Sequence, residues 1–221
     1  MTYADGIGYF MNIINCNTLY LILSSEYING RAVLDVAERA LDAGIDMLQM
    51  REKSLSEEGL LGLGKKLLYL CRGKSVPFIV NDNPCIAKKL DADGVHLGQQ
   101  DVKKYSLEYS RDMLGKDKII GISTHCLQEF RTANCQDFDY IAFGPVFPTK
   151  TKNYHIGAND IEEVLSIACK PVMFIGGIDI TNIDRIIEKG AKNIAVIRAI
   201  TEAEDVQLAV KTLKKYIEGK K

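Results

Sequence analysis

Paired cysteines, a basic leader and long apolar runs are all missing from this sequence, and each absence removes a class of protein. The six cysteines, Cys16, Cys71, Cys85, Cys126, Cys135 and Cys169, never fall as Cys-x-x-Cys and stand at no zinc-binding spacing from a histidine. They are expected to be reduced and mostly buried, which fits a reducing compartment and excludes a disulfide scaffold. No Lys or Arg precedes Arg31, and Asn12, Asn15 and Asn17 interrupt the apolar residues around them, so no secretory leader is expected. No stretch nears the roughly 18 apolar residues of a membrane helix. Lys and Arg number 28 against 29 Asp and Glu, a net charge of −1, so no global field attracts nucleic acid or an anionic membrane. The expected setting is the cytoplasm, the expected partners are small molecules, and oligomerisation is left open. Any anion must be held by a local cluster.

What is present is alternation. Short apolar or β-branched runs at 18–23, 45–49, 77–80, 94–97, 118–122, 139–143, 171–175 and 193–197 read as strands. Amphipathic stretches at 31–43, 56–71, 85–90, 104–114, 127–135, 161–168, 181–189 and 205–217 read as helices, the second capped by Ser54 or Ser56. Strand alternating with helix implies parallel pairing through right-handed crossovers, and eight such units close a ring. The expected fold is therefore α/β, a single (β/α)8 TIM barrel covering 1–221, with 1–17 closing its bottom. Gly44, Gly73 and Gly190 follow three of the helices as left-handed caps. The basic end, 214–221, reads as a solvated helix face and tail.

Barrel enzymes work at the carboxyl ends of their strands, which directs attention to the polar residues there. Gln49, Arg51 and Lys53 alternate onto one face after the second strand, with Met50 and Glu52 on the other. Asp82 and Asp101 follow the third and fourth strands, and two carboxylates from adjacent loops suit Mg²⁺, which keeps waters and substrate phosphates as its other ligands. His96 lies inside a strand and is expected to be a packed, hydrogen-bonded side chain. Ser123 ends the fifth strand with no Gly-x-Ser-x-Gly elbow, so it reads as a phosphate contact and not a nucleophile. Thr149, Thr151 and Lys152 follow the sixth strand, Gly176-Gly177 the seventh and Ile197-Arg198 the eighth. Backbone amides after strands seven and eight form the recurrent phosphate site of barrels. The tally is two phosphate sites across one mouth, which a single monophosphate would not require.

Six ordered segments carry a resemblance over nearly the whole chain after residue 18: Gln49-x-Arg51-Glu52-Lys53, Asn81-Asp82, Asp93-Gly94-Val95-His96-Leu97-Gly98-Gln99-x-Asp101, Gly121-x-Ser123-Thr124-His125, Gly144-Pro145-Val146-Phe147-Pro148-Thr149-x-Thr151-Lys152 and Ile175-Gly176-Gly177-Ile178. Together they resemble the thiamine phosphate synthase family. The resemblance implies a transferase that joins a hydroxymethylpyrimidine diphosphate to a thiazole monophosphate, with Mg²⁺, by a dissociative displacement that releases pyrophosphate. It implies that Gln49, Arg51, Lys53, Asn81, Ser123 and Lys152 hold the pyrimidine diphosphate, with Glu52 in the same motif. Asp82 and Asp101 are implied as the Mg²⁺ ligands. Thr149, Thr151, Gly177, Ile197 and the residue after it are implied as ligands of the thiazole phosphate. Arg51, Lys53, Ser123 and Lys152 are the residues expected to act on the departing anion. Where the family usually has serine after strand eight, this chain has Arg198, which is expected still to contact the phosphate. A thiazole tautomerase shares the barrel but has no use for a diphosphate clamp. Sugar-phosphate or amino-acid-pathway isomerases need an acid–base pair, for which only His96 is a candidate. A non-catalytic phosphate sensor would bind both ligands and release no pyrophosphate.

Overall fold

The computed structural model describes residues 17–219. Its eight strands are β1 Leu19–Leu23, β2 Met47–Met50, β3 Phe78–Asn81, β4 Gly94–Leu97, β5 Ile119–Thr124, β6 Tyr140–Phe143, β7 Val172–Ile175 and β8 Ile194–Val196. They pair in parallel in chain order, and β8 returns to β1 to close a (β/α)8 barrel. The helices are α1 Val33–Asp42, α2 Glu57–Lys74, α3 Pro84–Leu90, α4 Asp101–Lys104, α5 Leu107–Leu114, α6 Leu127–Asn134, α7 Ile161–Ile167, α8 Asp184–Ile187, α9 Arg198–Thr201 and α10 Val206–Ile217. Among the described residues, no helix is long and apolar enough to cross a membrane. The expected role of 1–17 falls, apart from Asn17, outside the described residues.

Several expected boundaries shift for local chemical reasons. The helix expected at 104–114 divides because the Ser106 hydroxyl accepts the Tyr109 amide and starts a new helix, α5. The helix expected at 181–189 shrinks to α8. There the Asp179 carboxylate takes the Thr181 amide and hydroxyl, and Asn182 takes the Asp179 amide, so side chains compete with the helical ladder. Gly73 is not a cap: α2 runs on to Lys74, and Ser75 takes the left-handed conformation instead (φ 56°). Of the five described cysteines only Cys71 is buried, which corrects the expectation that most would be. Lys214 is also no free surface cation, since its ammonium lies 2.7 and 2.9 Å from the two Asp46 oxygens.

Strand alternation produces two apolar layers. Outward residues of the strands pack under the helices in one large cluster, while Tyr20, Met47, Ile79, Ile119, Tyr140, Met173 and Ala195 fill the barrel interior. Burying one large apolar side chain of this kind stabilises by about 1.5–3 kcal/mol. The amino-terminal face is fastened by a repeated device. Asp46, just before β2, accepts the Leu19 amide of β1 at 2.7 Å. Asp93 before β4 does the same for Phe78 of β3 at 2.8 Å, and Asp139 before β6 for Ile120 of β5 at 2.7 Å. Asn193 before β8 takes the Thr18 amide at 3.2 Å. Four side chains thus bind backbone amides in the odd-numbered strands β1, β3 and β5 and just before β1. The stabilising groups lie at this face, which leaves the opposite face for chemistry.

Candidate active site

At the carboxyl end of the barrel, one inward residue from each strand position builds the floor of a cavity. These are Ile22, Gln49, Asn81, His96, Ser123, Ala142, Ile175 and Ile197. The walls are added by the loops: Arg51 after β2, His125 after β5, Pro145 after β6, and Thr151 and Lys152 farther along the same loop. The space is about 130 Å³. A second cavity of about 270 Å³ adjoins it, lined by Thr149, Thr151, Gly176, Gly177, Ile197 and Arg198 among others. Thr151, Ile175, Gly176 and Ile197 belong to both, so the two spaces share a wall.

The inner cavity is cationic and under-satisfied. The Arg51 backbone is pinned by its amide to the Leu23 carbonyl at 2.8 Å, and its buried Nη1 has no hydrogen-bond partner. A guanidinium nitrogen without a partner in a desolvated wall is costly unless an anion completes it. Lys152 stands on the opposite side, held within the short antiparallel bridge between Thr149 and Lys152. Lys53 is exposed at the rim, and its charge, like that of Arg51, bears on Asp82.

Asp82 follows β3 in a left-handed conformation (φ 65°), with its amide bonded to the His96 carbonyl at 2.8 Å. Asp tolerates this conformation better than most side chains. The next two residues explain the turn: Asn83 caps α3 through the Cys85 and Ile86 amides, and Pro84 opens the helix. Burial, followed by the neighbouring Asp101 carboxyl, pushes Asp82 up to about 6. Asp101 is held in turn by the Gly98 amide at 2.9 Å. Two carboxyls facing one another make a donor set for a small hard cation. Among the described residues, no group of three or more His, Cys, Asp or Glu forms a self-sufficient metal cage.

The outer cavity is lined by backbone and hydroxyls. Gly176 (φ 100°) and Gly177 (φ 66°) follow β7, and a Cβ on Gly177 would fall 2.4 Å from the Pro148 carbonyl oxygen. Only glycine fits this close approach of two loops. Thr149 and Thr151 hydroxyls lie 3.1 Å apart on the facing loop. Arg198 opens α9 at the wall, and its Nη1 is a loose 3.8 Å from Glu202 Oε2.

The sequence and the barrel have counterparts among known proteins. Residues 19–200 match the family model for thiamine monophosphate synthase. The chain belongs to that family. Thiamine-phosphate synthase of Persephonella marina is 36% identical over 204 residues, covering 91% of this chain and 96% of that protein. The Shouchella clausii enzyme of the same name is 40% identical over 198 residues, covering 88% and 93%. Among solved structures, thiamine phosphate pyrophosphorylase from Pyrococcus furiosus superposes with a TM-score of 0.84 at 32% identity, covering 94% of this chain and 98% of that one. Family members are transferases, and so is this chain.

Within the family barrel, the structure gathers most of the residues singled out in the sequence, while Glu52, Lys53, Asp82 and Asp101 line neither cavity. Gln49, Arg51, Asn81, Ser123 and Lys152 line the inner cavity, and Thr149, Thr151, Gly177, Ile197 and Arg198 the outer one. Glu52 lines neither: its oxygens accept the Ser25 amide at 2.6 Å and the Ser25 hydroxyl at 2.5 Å, bracing the turn after β1. The sequence reading also passed over Tyr20 and Tyr140, buried below the floor. Gln49 donates to the Tyr20 hydroxyl at 2.7 Å, and the two phenol oxygens lie 3.2 Å apart. Tyr140 reaches His96 Nδ1 at 2.8 Å, and His96 Nε2 reaches Ser123 Oγ at 2.8 Å. Burial drives His96 down to about 4, so it is neutral. Inward alternation on β1 and β6 was the available signal for the two tyrosines.

Proposed function

We propose that this chain is a cytoplasmic, Mg²⁺-dependent thiamine phosphate synthase. It joins 4-amino-2-methyl-5-(diphosphooxymethyl)pyrimidine to thiazole monophosphate, giving thiamine monophosphate and pyrophosphate. The observation that carries the reading is the buried, unpartnered Nη1 of half-buried Arg51 in a cavity that shares a wall with a second, glycine-lined space. The inner space takes the diphosphate and the outer one the monophosphate.

In this reaction the bond between the pyrimidine methylene carbon and the diphosphate oxygen breaks, and its electron pair leaves with pyrophosphate. The thiazole nitrogen then gives its lone pair to the methylene carbon, and no proton need move. Arg51 and Lys152 lie where negative charge grows on the leaving group, with Lys53 at the rim, and charge of this kind is the chief lever available. Ser123 and Asn81 supply neutral polar contacts from the floor. Asp82 and Asp101 would hold Mg²⁺, whose chemistry is to neutralise phosphate oxygens and stabilise the leaving group. His96, neutral and engaged at both ring nitrogens, is not placed as a general base, which suits a displacement that needs none. Thr149, Thr151 and the Gly177 backbone are the expected monophosphate ligands, joined by Arg198.

The test is direct. The purified chain, both substrates and Mg²⁺ should yield pyrophosphate and thiamine monophosphate in equal amounts, and a chelator should abolish both. Tight binding of both substrates without release of pyrophosphate would remove the enzymatic reading.

A further inference from the structure

His125, the first residue after β5, stands in the wall of the inner cavity and carries an ionisable ring. Its place is set by the start of α6. Glu129, in the first turn of that helix, turns its carboxylate back on the loop, where Oε2 accepts the His125 amide at 2.7 Å. The same oxygen lies 3.3 Å from the ring's Nδ1. One carboxylate therefore holds both the backbone and the ring. With Nδ1 turned to Glu129, Nε2 projects from the far edge of a ring that borders the cavity. A carboxylate on one imidazole nitrogen is a common means of fixing the tautomer and aiming the other nitrogen at a ligand.

The groups around the ring oppose one another. Burial is the largest influence on His125 and lowers its affinity for a second proton; Glu129 raises it, the Lys152 ammonium lowers it again, and the net direction is down. Tyr154 is the neighbouring aromatic, its ring centroid 6.1 Å from that of His125 and 6.0 Å from Lys152 Nζ. Burial pushes its phenol up, so it adds no charge at neutral pH. The exposed Cys126 thiol follows next in the chain, and Arg51 borders the same cavity. An anion held between Lys152 and His125 reverses the balance. It cancels the repulsion from Lys152 and adds its own attraction, so that the preference of Glu129 for an imidazolium is opposed only by burial.

We infer that His125 is a further ligand of the anion in the inner cavity, meeting it through Nε2 and binding a proton as the anion arrives, with Glu129 as the residue that positions the ring. The inference deepens the proposed reading and rests on it for the anion's identity, the diphosphate of the pyrimidine substrate and then the pyrophosphate product. Solvent supplies one proton to Nε2 on binding and takes it back when pyrophosphate leaves. None passes to a reacting atom. Glu129 could instead serve only to brace the start of α6, and Glu129→Gln separates the two roles. The amide oxygen still accepts the His125 N–H, while the charge is gone.

The experiment uses the full chain with Mg²⁺ and inorganic pyrophosphate as the probe. NMR titration reads three histidines, His96, His125 and His155, and the His125 signals are those lost in His125→Gln. Saturating pyrophosphate is expected to raise the His125 midpoint by about one pH unit or more. Glu129→Gln is expected to lower it with and without the probe. A midpoint that pyrophosphate does not move overturns the inference, and one that Glu129→Gln does not move removes Glu129 from it. Calorimetry is the second arm. Between the free and bound midpoints binding takes up a proton, so affinity falls as pH rises. The wild type should bind pyrophosphate about tenfold more tightly than His125→Gln below that window, and the two should converge above it. Taking the ratio cancels the titration of pyrophosphate itself. A ratio that is constant with pH would give His125 a role in loop shape alone and sink the proposal. Should His125→Gln fail to fold, correlation to the Thr124 and Cys126 backbone assigns the ring, and the wild-type midpoints still decide. Absence of product from both substrates, with His125 still responding to pyrophosphate, would fall on the functional reading and leave this ligand in place.

Discussion

Arg111 Nη2 lies 2.9 Å from Asp139 Oδ2 on the face of the barrel away from both cavities. The same guanidinium donates to the Lys118 carbonyl at 2.6 Å and the Asp137 carbonyl at 3.1 Å, while Asp139 also accepts the Ile120 amide. The pair thus ties α5 to the entrances of β5 and β6. Removing one partner of an enclosed pair leaves the other charge uncompensated. Asp139→Ala is expected to cost about 3 kcal/mol of stability, seen as a lower urea midpoint. The kcat of the folded fraction should hold, since nothing at the mouth is touched. A large loss of kcat without a change in midpoint would contradict this division of labour between the two faces.

The opposite outcome is expected at Arg51. Its buried Nη1 has no hydrogen-bond partner among the described residues, so its removal relieves an unpaired polar atom in a half-buried side chain and should leave the melting temperature unchanged or raised. Catalysis should suffer instead: kcat/KM for Arg51→Ala is expected to fall by about 100-fold or more, in the range known for lost transition-state donors. Arg51→Lys should recover only part, because an ammonium lacks the planar fork. Steady-state kinetics beside thermal melts would check both statements. A variant that melts early and keeps its kcat/KM would place Arg51 among structural residues.

Asp82 makes the pH dependence specific. Its folded-state value is raised from 3.8 to about 6, first by burial and then by Asp101. Between those values the native chain keeps a proton that the unfolded chain has released, so stability falls as pH rises through the window and stays lower above it. Asp82→Asn removes the titration. In chelator it is expected to be more stable than the parent by on the order of 1–2 kcal/mol at neutral pH, discounted for partial solvent access. That advantage should vanish at about pH 3, below both values. Urea titrations at the two ends of the window decide it, and an advantage that does not vary with pH would mean that Asp82 is not the group responsible. With Mg²⁺ and diphosphate present, the same substitution should abolish activity.

The fold was legible because its signal repeats. Eight alternations of apolar run and amphipathic run leave little freedom of topology, and β4, Gly94–Leu97, has the bounds expected from sequence. Errors gathered where side chains bond to nearby backbone, as at Ser106 and Asp179, since such bonds are decided by a few atoms and not by periodicity. In the site, charged residues at strand ends were easy to find. Glu52 was harder, because its role depends on Ser25, 27 positions away in sequence. Tyr20 and Tyr140 were hardest: both lie in apolar strands and look like core until their hydroxyls are seen to meet.

Arg198 separates what charge does from what shape does in the outer cavity. Its guanidinium stands 3.8 Å from Glu202, too far for a committed hydrogen bond, so its donors stay available to a ligand. A charge-assisted contact with a phosphate oxygen is worth about 1.5–3 kcal/mol. Arg198→Ala is therefore expected to raise KM for the thiazole monophosphate by about tenfold, since 1.4 kcal/mol is a factor of ten. KM for the pyrimidine diphosphate should stay within about twofold, because Arg198 does not line the inner cavity. Glu202→Gln, which relieves the competing carboxylate, should lower the first KM and leave the second alone. Initial-rate measurements with each substrate varied in turn would check all three. An unchanged KM for thiazole monophosphate in Arg198→Ala would show that this arginine points its charge at Glu202 and not at the substrate.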